Sequence, residues 1–145
     1  MKKILLGIIV VIFIWLGVFI VDYLKSHSFE TGNVSNVKII PIESEIYSNE
    51  EINNAIDVIL DYFEKNFNGC SLLEIEYIGD ENNDAYRDWA IRNNKSEVIV
   101  FISNFKVNPN GGNGVLNSNS EYDDYSWILV RNENENWKYV DGGYG

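Results

Sequence analysis

Histidine, cysteine and methionine each occur once among these 145 residues, and proline only twice. Histidine is the usual acid and base near neutral pH, and the single His27 follows closely behind an apolar N-terminal run. Ser-His-Asp and Cys-His catalysis are therefore excluded. One Cys and one His cannot supply the three or four ligands of a zinc site, so no metal and no cofactor is expected. A lone cysteine forms no internal disulfide, which leaves stability to the core. Cys70, behind the Asn68-Gly69 turn and at the start of a strand, reads as a small buried apolar residue. Positive charge is also scarce. From residue 26 onward eight Lys or Arg face twenty-one Asp or Glu, a formal charge of −13. Such a surface repels nucleic acid and anionic headgroups and favours cations or a basic protein or peptide.

What the chain does have is one long uncharged run, residues 4–21 (ILLGIIVVIFIWLGVFIV). As a helix rising about 1.5 Å per residue it reaches roughly 27 Å, close to the ~30 Å hydrocarbon layer of a bilayer. Lipid offers no partner to a free backbone N–H or C=O, so a helix is the required form. Lys2 and Lys3 precede the run and Asp22 follows it, which places the N-terminus in the cytoplasm and the C-terminal domain outside. Residues 1–25 are thus expected to be a single-pass membrane anchor at the cell membrane. The alternative is a secretory signal cleaved near Ser28, with Ser26 and Ser28 as its small residues. Both readings export the rest of the chain. Residues 26–46 form a spacer with an edge strand over residues 37–42, where Pro41 cannot donate to a ladder. Residues 47–145 form one domain.

Within that domain Ser48 and Glu51 make a capping box, and Tyr47 is placed to staple onto Ile52. The apolar residues Ile52, Ile56, Ile59, Leu60, Phe63 and Phe67 recur at helical spacing up to a C-cap at Gly69. Leu73, Ile75 and Tyr77 alternate with Glu74 and Glu76, the pattern of a strand with one wet face. A polar break over residues 79–83 precedes a short helix over 84–93, with Tyr86, Trp89 and Ala90 on one side. Residues 98–107 (VIVFISNFKV) read as the central strand. Residues 125–131 (YSWILVR) answer it across a Gly/Asn-rich connection, and residues 137–141 (WKYVD) close the sheet before flexible glycines. A long helix followed by an antiparallel meander is an α+β order.

The capped helix ending YFEKNF, the NGC turn, the strands carrying EYIG, VIVFISNF and SWILVR, and the closing WKYVDGGYG together resemble small exported bacterial domains of unknown function. Those are similar to the nuclear-transport-factor-two-like or cystatin-like fold. The resemblance implies a curved antiparallel sheet wrapped on the long helix, in some relatives around a conical pocket. It implies no single function, because enzymes, binding modules and scaffolds share that fold.

Asp80, Asn82 and Asp84 match the opening of a calcium loop, but Ala85 stands at its glycine position and Ile91 at its glutamate position. They read instead as an acidic turn capping the next helix. Glu121, Asp123 and Asp124 form a second, unspecific acidic group. Gly111, Gly112 and Gly114 lack the Lys-Ser/Thr of a phosphate loop. Asn33-Val34-Ser35 and Asn94-Lys95-Ser96 match a glycosylation pattern that is silent in a bacterial host. Two functions remain. The preferred one is a non-catalytic extracytoplasmic binding module whose ligand contacts are Trp89, Phe105, Trp127, Trp137 and Tyr139. The alternatives are a small-pocket enzyme with Asp/Tyr acid-base chemistry, drawing on Asp61, Tyr62, Tyr77, Asp88 and Tyr125, and an assembly element of an envelope complex.

Overall fold

The computed structural model describes residues 13–20, 31–41, 43–112 and 115–144. Residues 13–20, the described part of the apolar run, are helical and exposed. Among the described residues no helix is long and apolar enough to cross a membrane. The remainder of the expected span, residues 4–12 and 21, lies outside the described residues, as do residues 22–30 with His27 and the alternative cleavage position, and Ile42, Gly114 and Gly145.

The domain is α+β. Its elements are β1 (Lys38–Ile40), α1 (Asn49–Asn66), β2 (Cys70–Tyr77), α2 (Asp80–Asn83), a 3-10 turn (Asp84–Tyr86), α3 (Arg87–Arg92), β3 (Glu97–Val107), β4 (Glu121–Arg131) and β5 (Lys138–Gly143). The five strands lie side by side in chain order. From β2 to β5 the pairing is antiparallel, as the meander predicts. The first strand departs from the expected all-antiparallel sheet. β1 runs parallel to β2, with Lys38 opposite Glu74 and Ile40 opposite Glu76. The long helix between them is the reason: a strand that returns after a helical crossover comes back in the same direction.

The start of α1 follows local chemistry. Ser48 accepts from the Glu51 amide, and the Glu51 carboxylate accepts from the Ser48 amide at 2.9 Å, so the capping box is complete. Ser48→Ala removes one half of it and is expected to cost about 1 kcal/mol, read as a lower urea midpoint with an unchanged slope. The end of α1 falls earlier than expected, with Phe67 rather than Gly69 as the cap. Phe67 leaves the helix because its ring is drawn into the core, stacking on Phe63 at 4.6 Å. Gly69 instead takes the positive φ of 68° that turns the chain into β2.

One face of the sheet buries the apolar stripe of α1. Ile52, Ile56, Ile59 and Phe63 form a single cluster with Leu72, Ile75, Tyr77, Ile99, Phe101, Phe105, Trp127 and Leu129. Each fully buried side chain of this size contributes about 1.5–3 kcal/mol relative to an exposed one. A bulge between Leu72 and Glu74 shifts the phase of β2, so Leu72 faces this core and Leu73 does not. On the other face Ala90 packs over Val98, Val100, Ile128 and Val130, joined by the half-buried Trp89. α3 therefore covers only one end of that face.

Three further boundaries differ from expectation. The polar break contains the single turn α2. β4 begins at Glu121, four residues before the apolar pattern. Gly142 and Gly143 are part of β5 rather than a flexible tail, with Gly142 opposite Trp127 and Gly143 opposite Ser126. A Cβ on Gly142 would lie 2.6 Å from the Ser126 carbonyl and 2.7 Å from the Tyr139 hydroxyl, so only glycine fits. Likewise a Cβ on Gly111 would meet the Gly69 carbonyl at 2.2 Å, because the glycine-rich loop closes onto the Asn68-Gly69 turn.

Candidate functional site

Around Trp127 the face of the sheet toward α1 is filled, whereas beside β1 a cavity of about 290 Å³ opens among Ile39, Ile40, Ile52, Ile56, Tyr77 and Phe101. Trp127 is fully buried and donates its indole N–H to the Ser103 hydroxyl at 2.7 Å. Phe63, Phe67, Tyr62 and Tyr125 surround it, with ring centroids 5.0–6.3 Å away. Phe105 is equally buried and packs edge-on against Phe63.

Outside this plug the rings become half-exposed tyrosines. Tyr62 lies on Tyr139 at 4.2 Å, Tyr139 beside Trp127 at 5.6 Å, and Tyr144 edge-on to Tyr125 at 5.5 Å. Tyr122 stacks on Phe105 at 5.2 Å and reaches Tyr144 at 5.9 Å. Tyr62 comes from α1, Tyr122 and Tyr125 from β4, Tyr139 from β5 and Tyr144 from the chain beyond it. Alternation along β4 and β5 and the helical phase of α1 bring these five rings to one end of the sheet. Burial raises the Tyr139 and Tyr125 hydroxyls above the ordinary tyrosine range; Tyr125, Tyr62 and Asp141 add to the rise at Tyr139, whereas at Tyr125 the hydrogen bond with Tyr139 offsets part of it. Tyr144 is pushed up to about 12, by burial first and then by Tyr122, Tyr125 and Asp123. All of these groups stay neutral at physiological pH. A face of neutral phenols beside the carboxylates of Asp123 and Asp141 can stack on apolar stems and attract cations.

Of the expected ligand contacts, the fold brings together Trp127, Phe105 and Tyr139. Trp127 and Phe105 are wholly inside, and only Tyr139 reaches the surface. Trp137 lies toward the start of α1, where its indole N–H donates to the Glu51 carbonyl at 3.0 Å. Trp89 sits on the opposite face of the sheet, with the Arg92 guanidinium 5.6 Å from its ring. With Trp89 on the far face and Trp137 at the start of α1, the five do not line one pocket among the described residues.

The residues considered for acid-base chemistry separate as well. Asp61 is exposed and pairs with Lys65 along the helix, and Asp88 is exposed on α3. A tyrosine–carboxylate pair does exist. The Tyr77 hydroxyl donates to Asp80 at 2.8 Å, but Asp80 also accepts from the Ser44 hydroxyl at 2.6 Å and the Glu45 amide at 2.7 Å. Burial works against the charged form of Asp80, yet these donors hold its carboxyl below the usual range. Burial and the hydrogen bond to Asp80 push Tyr77 upward. A saturated carboxylate is a poor base, and this one ties the segment before α1 to the end of β2.

Sequence reasoning missed a second charged centre. Arg131, 7% exposed, bonds through Nε to Glu97 and through Nη2 to Glu51, with its guanidinium 4.1 Å from the Trp137 ring centroid and 5.9 Å from that of Tyr47. The Arg131 hydrogen bond, then the Ser48 amide, lowers Glu51 to about 2. The signal was present, because 127, 129 and 131 share the inward parity of β4. Among the described residues no group of three or more His, Cys, Asp or Glu is placed to hold a metal ion. In comparison with known proteins, no family model, no curated protein and no solved structure matches this chain.

Proposed function

We propose that this chain is a membrane-anchored extracytoplasmic binding module without catalytic activity. In this reading residues 4–21 cross the cell membrane once and hold a cystatin-like domain outside it. The domain's tyrosine face engages a basic protein or peptide. The observation that carries the proposal is the continuous surface of Tyr62, Tyr122, Tyr125, Tyr139 and Tyr144 beside Asp123 and Asp141, backed by a solid aromatic plug. Tyrosine supplies large contact area at low entropic cost, and the acidic rim orients a cationic partner. The charge of −13 on the exported part works in the same direction. The non-catalytic reading is supported by Asp80, the carboxylate beside Tyr77, whose oxygens are already occupied by three donors.

The test is titration of the full chain in detergent micelles with a lysine-rich peptide. Affinity is expected to fall steeply as salt rises from about 50 to about 500 mM, because exposed charges are screened over that range. Tyr144 is 53% exposed, so Tyr144→Ala leaves the fold intact. It is expected to weaken binding about tenfold, the effect of losing one aromatic anchor. Binding that ignores salt would remove the acidic rim from the account, and no saturable binding would remove the proposal.

A further inference from the structure

The sheet has two outer strands, and they are guarded differently. β1 is three residues long, runs into Pro41 and holds Lys38 in a pair with Glu74 at 2.8 Å. A short strand, a proline and a lysine are the devices that keep a sheet edge from accepting another chain. β5 is six residues long. Its inner side pairs with β4, and among the described residues no other backbone group bonds to it. Alternate N–H and C=O groups of β5 therefore face outward.

The guard on β5 stops halfway. Lys138 is exposed at its start, and Val140 is an extra residue bulged opposite Ile128 and Leu129, which bends that part of the edge. Beyond the bulge Asp141, Gly142 and Gly143 continue in register with Ile128, Trp127 and Ser126. This half carries no proline, no bulge and no positive charge. Two residues without side chains leave the backbone open to another strand at the usual spacing of about 4.8 Å.

The two sides of that half say which strand fits. Toward α1 lie Tyr139, with Tyr62 upon it at 4.2 Å, and Tyr125, with Tyr144 edge-on at 5.5 Å. Toward α3 lies Asp141, opposite Ile128 of the second cluster, exposed and in no ion pair among the described residues. An extended chain puts successive side chains on opposite faces of the sheet. One set therefore meets a free carboxylate and the other a face of neutral aromatic rings. A segment that alternates basic with apolar residues matches both, and its backbone supplies the outer ladder partners.

We infer that the outer edge of β5, from Asp141 to Gly143, takes up an extended segment of the basic partner as a sixth strand, with a lysine or arginine beside Asp141 and the alternate side chains on Tyr139 and Tyr62. This sixth strand presupposes the binding-module reading and adds how the partner is held, through its main chain as well as its side chains.

The experiment is an NMR titration of the full chain in zwitterionic detergent micelles with a blocked hexapeptide of alternating lysine and valine, and with two versions of it N-methylated at the three odd or the three even residues. Methylation removes N–H donors and leaves charge and side chains unchanged. Successive N–H groups of a strand point to opposite edges, so only one of the two sets can face β5. The parent peptide is expected to shift the backbone amides of Asp141, Gly142 and Gly143 saturably. One methylated peptide is expected to bind about tenfold more weakly than the parent and the other within about threefold of it, because the ladder bonds are lost from one side only. Equal affinities of the two methylated peptides would overturn the sixth strand and leave the tyrosine face standing as a side-chain site. No binding by the parent peptide would remove both. Shifts of the β5 amides with protein concentration alone would give the edge to a second copy of this chain and overturn the inference as well.

Discussion

Truncating Trp127 to alanine lowers the unfolding free energy by about 3–5 kcal/mol, enough to leave a domain of this size marginal. Trp127 is fully buried and is the largest of the fully buried side chains. Its ring touches α1 through Tyr62 and Phe63, the helix cap Phe67, and the sheet through Tyr125 and Tyr139. Removing it deletes the common partner of those rings and leaves the Ser103 hydroxyl without its indole donor. Trp127→Phe keeps most of the volume and costs less, about 1–2 kcal/mol. Urea unfolding of the two variants measures the difference. A Trp127→Ala protein as stable as the parent would mean that this side of the sheet is not the solid plug described above.

Replacing Arg131 by methionine is expected to cost about 3 kcal/mol at pH 7. Methionine preserves packing on Trp137 but leaves the Glu51 and Glu97 carboxylates facing each other without a cation. Their side chains are 35% and 25% exposed, which moderates the loss relative to a fully buried pair. The pH dependence carries a sign. Glu51 is lowered from 4.5 to about 2 in the folded protein, so its contribution is present above pH 4.5 and is lost as pH falls toward 2. The largest single cause of that lowering is the hydrogen bond from Arg131. In Arg131→Met that part of the contribution is gone at neutral pH, and acid then neutralises two repelling carboxylates. The stability gap between parent and variant is therefore expected to narrow between about pH 5 and pH 2.5. Urea midpoints at the two pH values decide it, and a constant gap would show that the ion pairs contribute nothing.

Where local chemistry decides, the fold is readable from the chain. Ser48 and Glu51 mark the start of α1, and the period of Ile52, Ile56, Ile59 and Phe63 gives its buried side. Val98 to Val107 reads as the central strand because β3 is covered on both faces over its first half. The misreadings arise where distant packing decides. Glycines at 142 and 143 look like a loose tail, yet Gly142 is required where β5 passes closely over Ser126 and Tyr139. Phe67 ends α1 before Gly69 because the core claims its ring. The parallel β1 follows from a crossover that no local pattern announces. Period-two alternation groups Trp127 with Phe105 and Tyr139, but it cannot say that two of them are sealed inside. Trp89 belongs to a short helix, whose side of the sheet the sequence does not encode, and it lies on the far face. Arg131 has the right parity for the interior, and its charge argued against reading it so.

The most direct test of the proposed function asks where a basic ligand touches the domain. The full chain in micelles, titrated with a lysine-rich peptide and followed by NMR, reports the ring signals of the tyrosines and the indole N–H signals of the tryptophans separately. Saturable shifts are expected at Tyr122, Tyr139 and Tyr144, with the Trp127 indole unmoved on its Ser103 hydroxyl. Shifts centred on the Trp127 indole and the Phe105 ring would place the ligand inside the fold and contradict it.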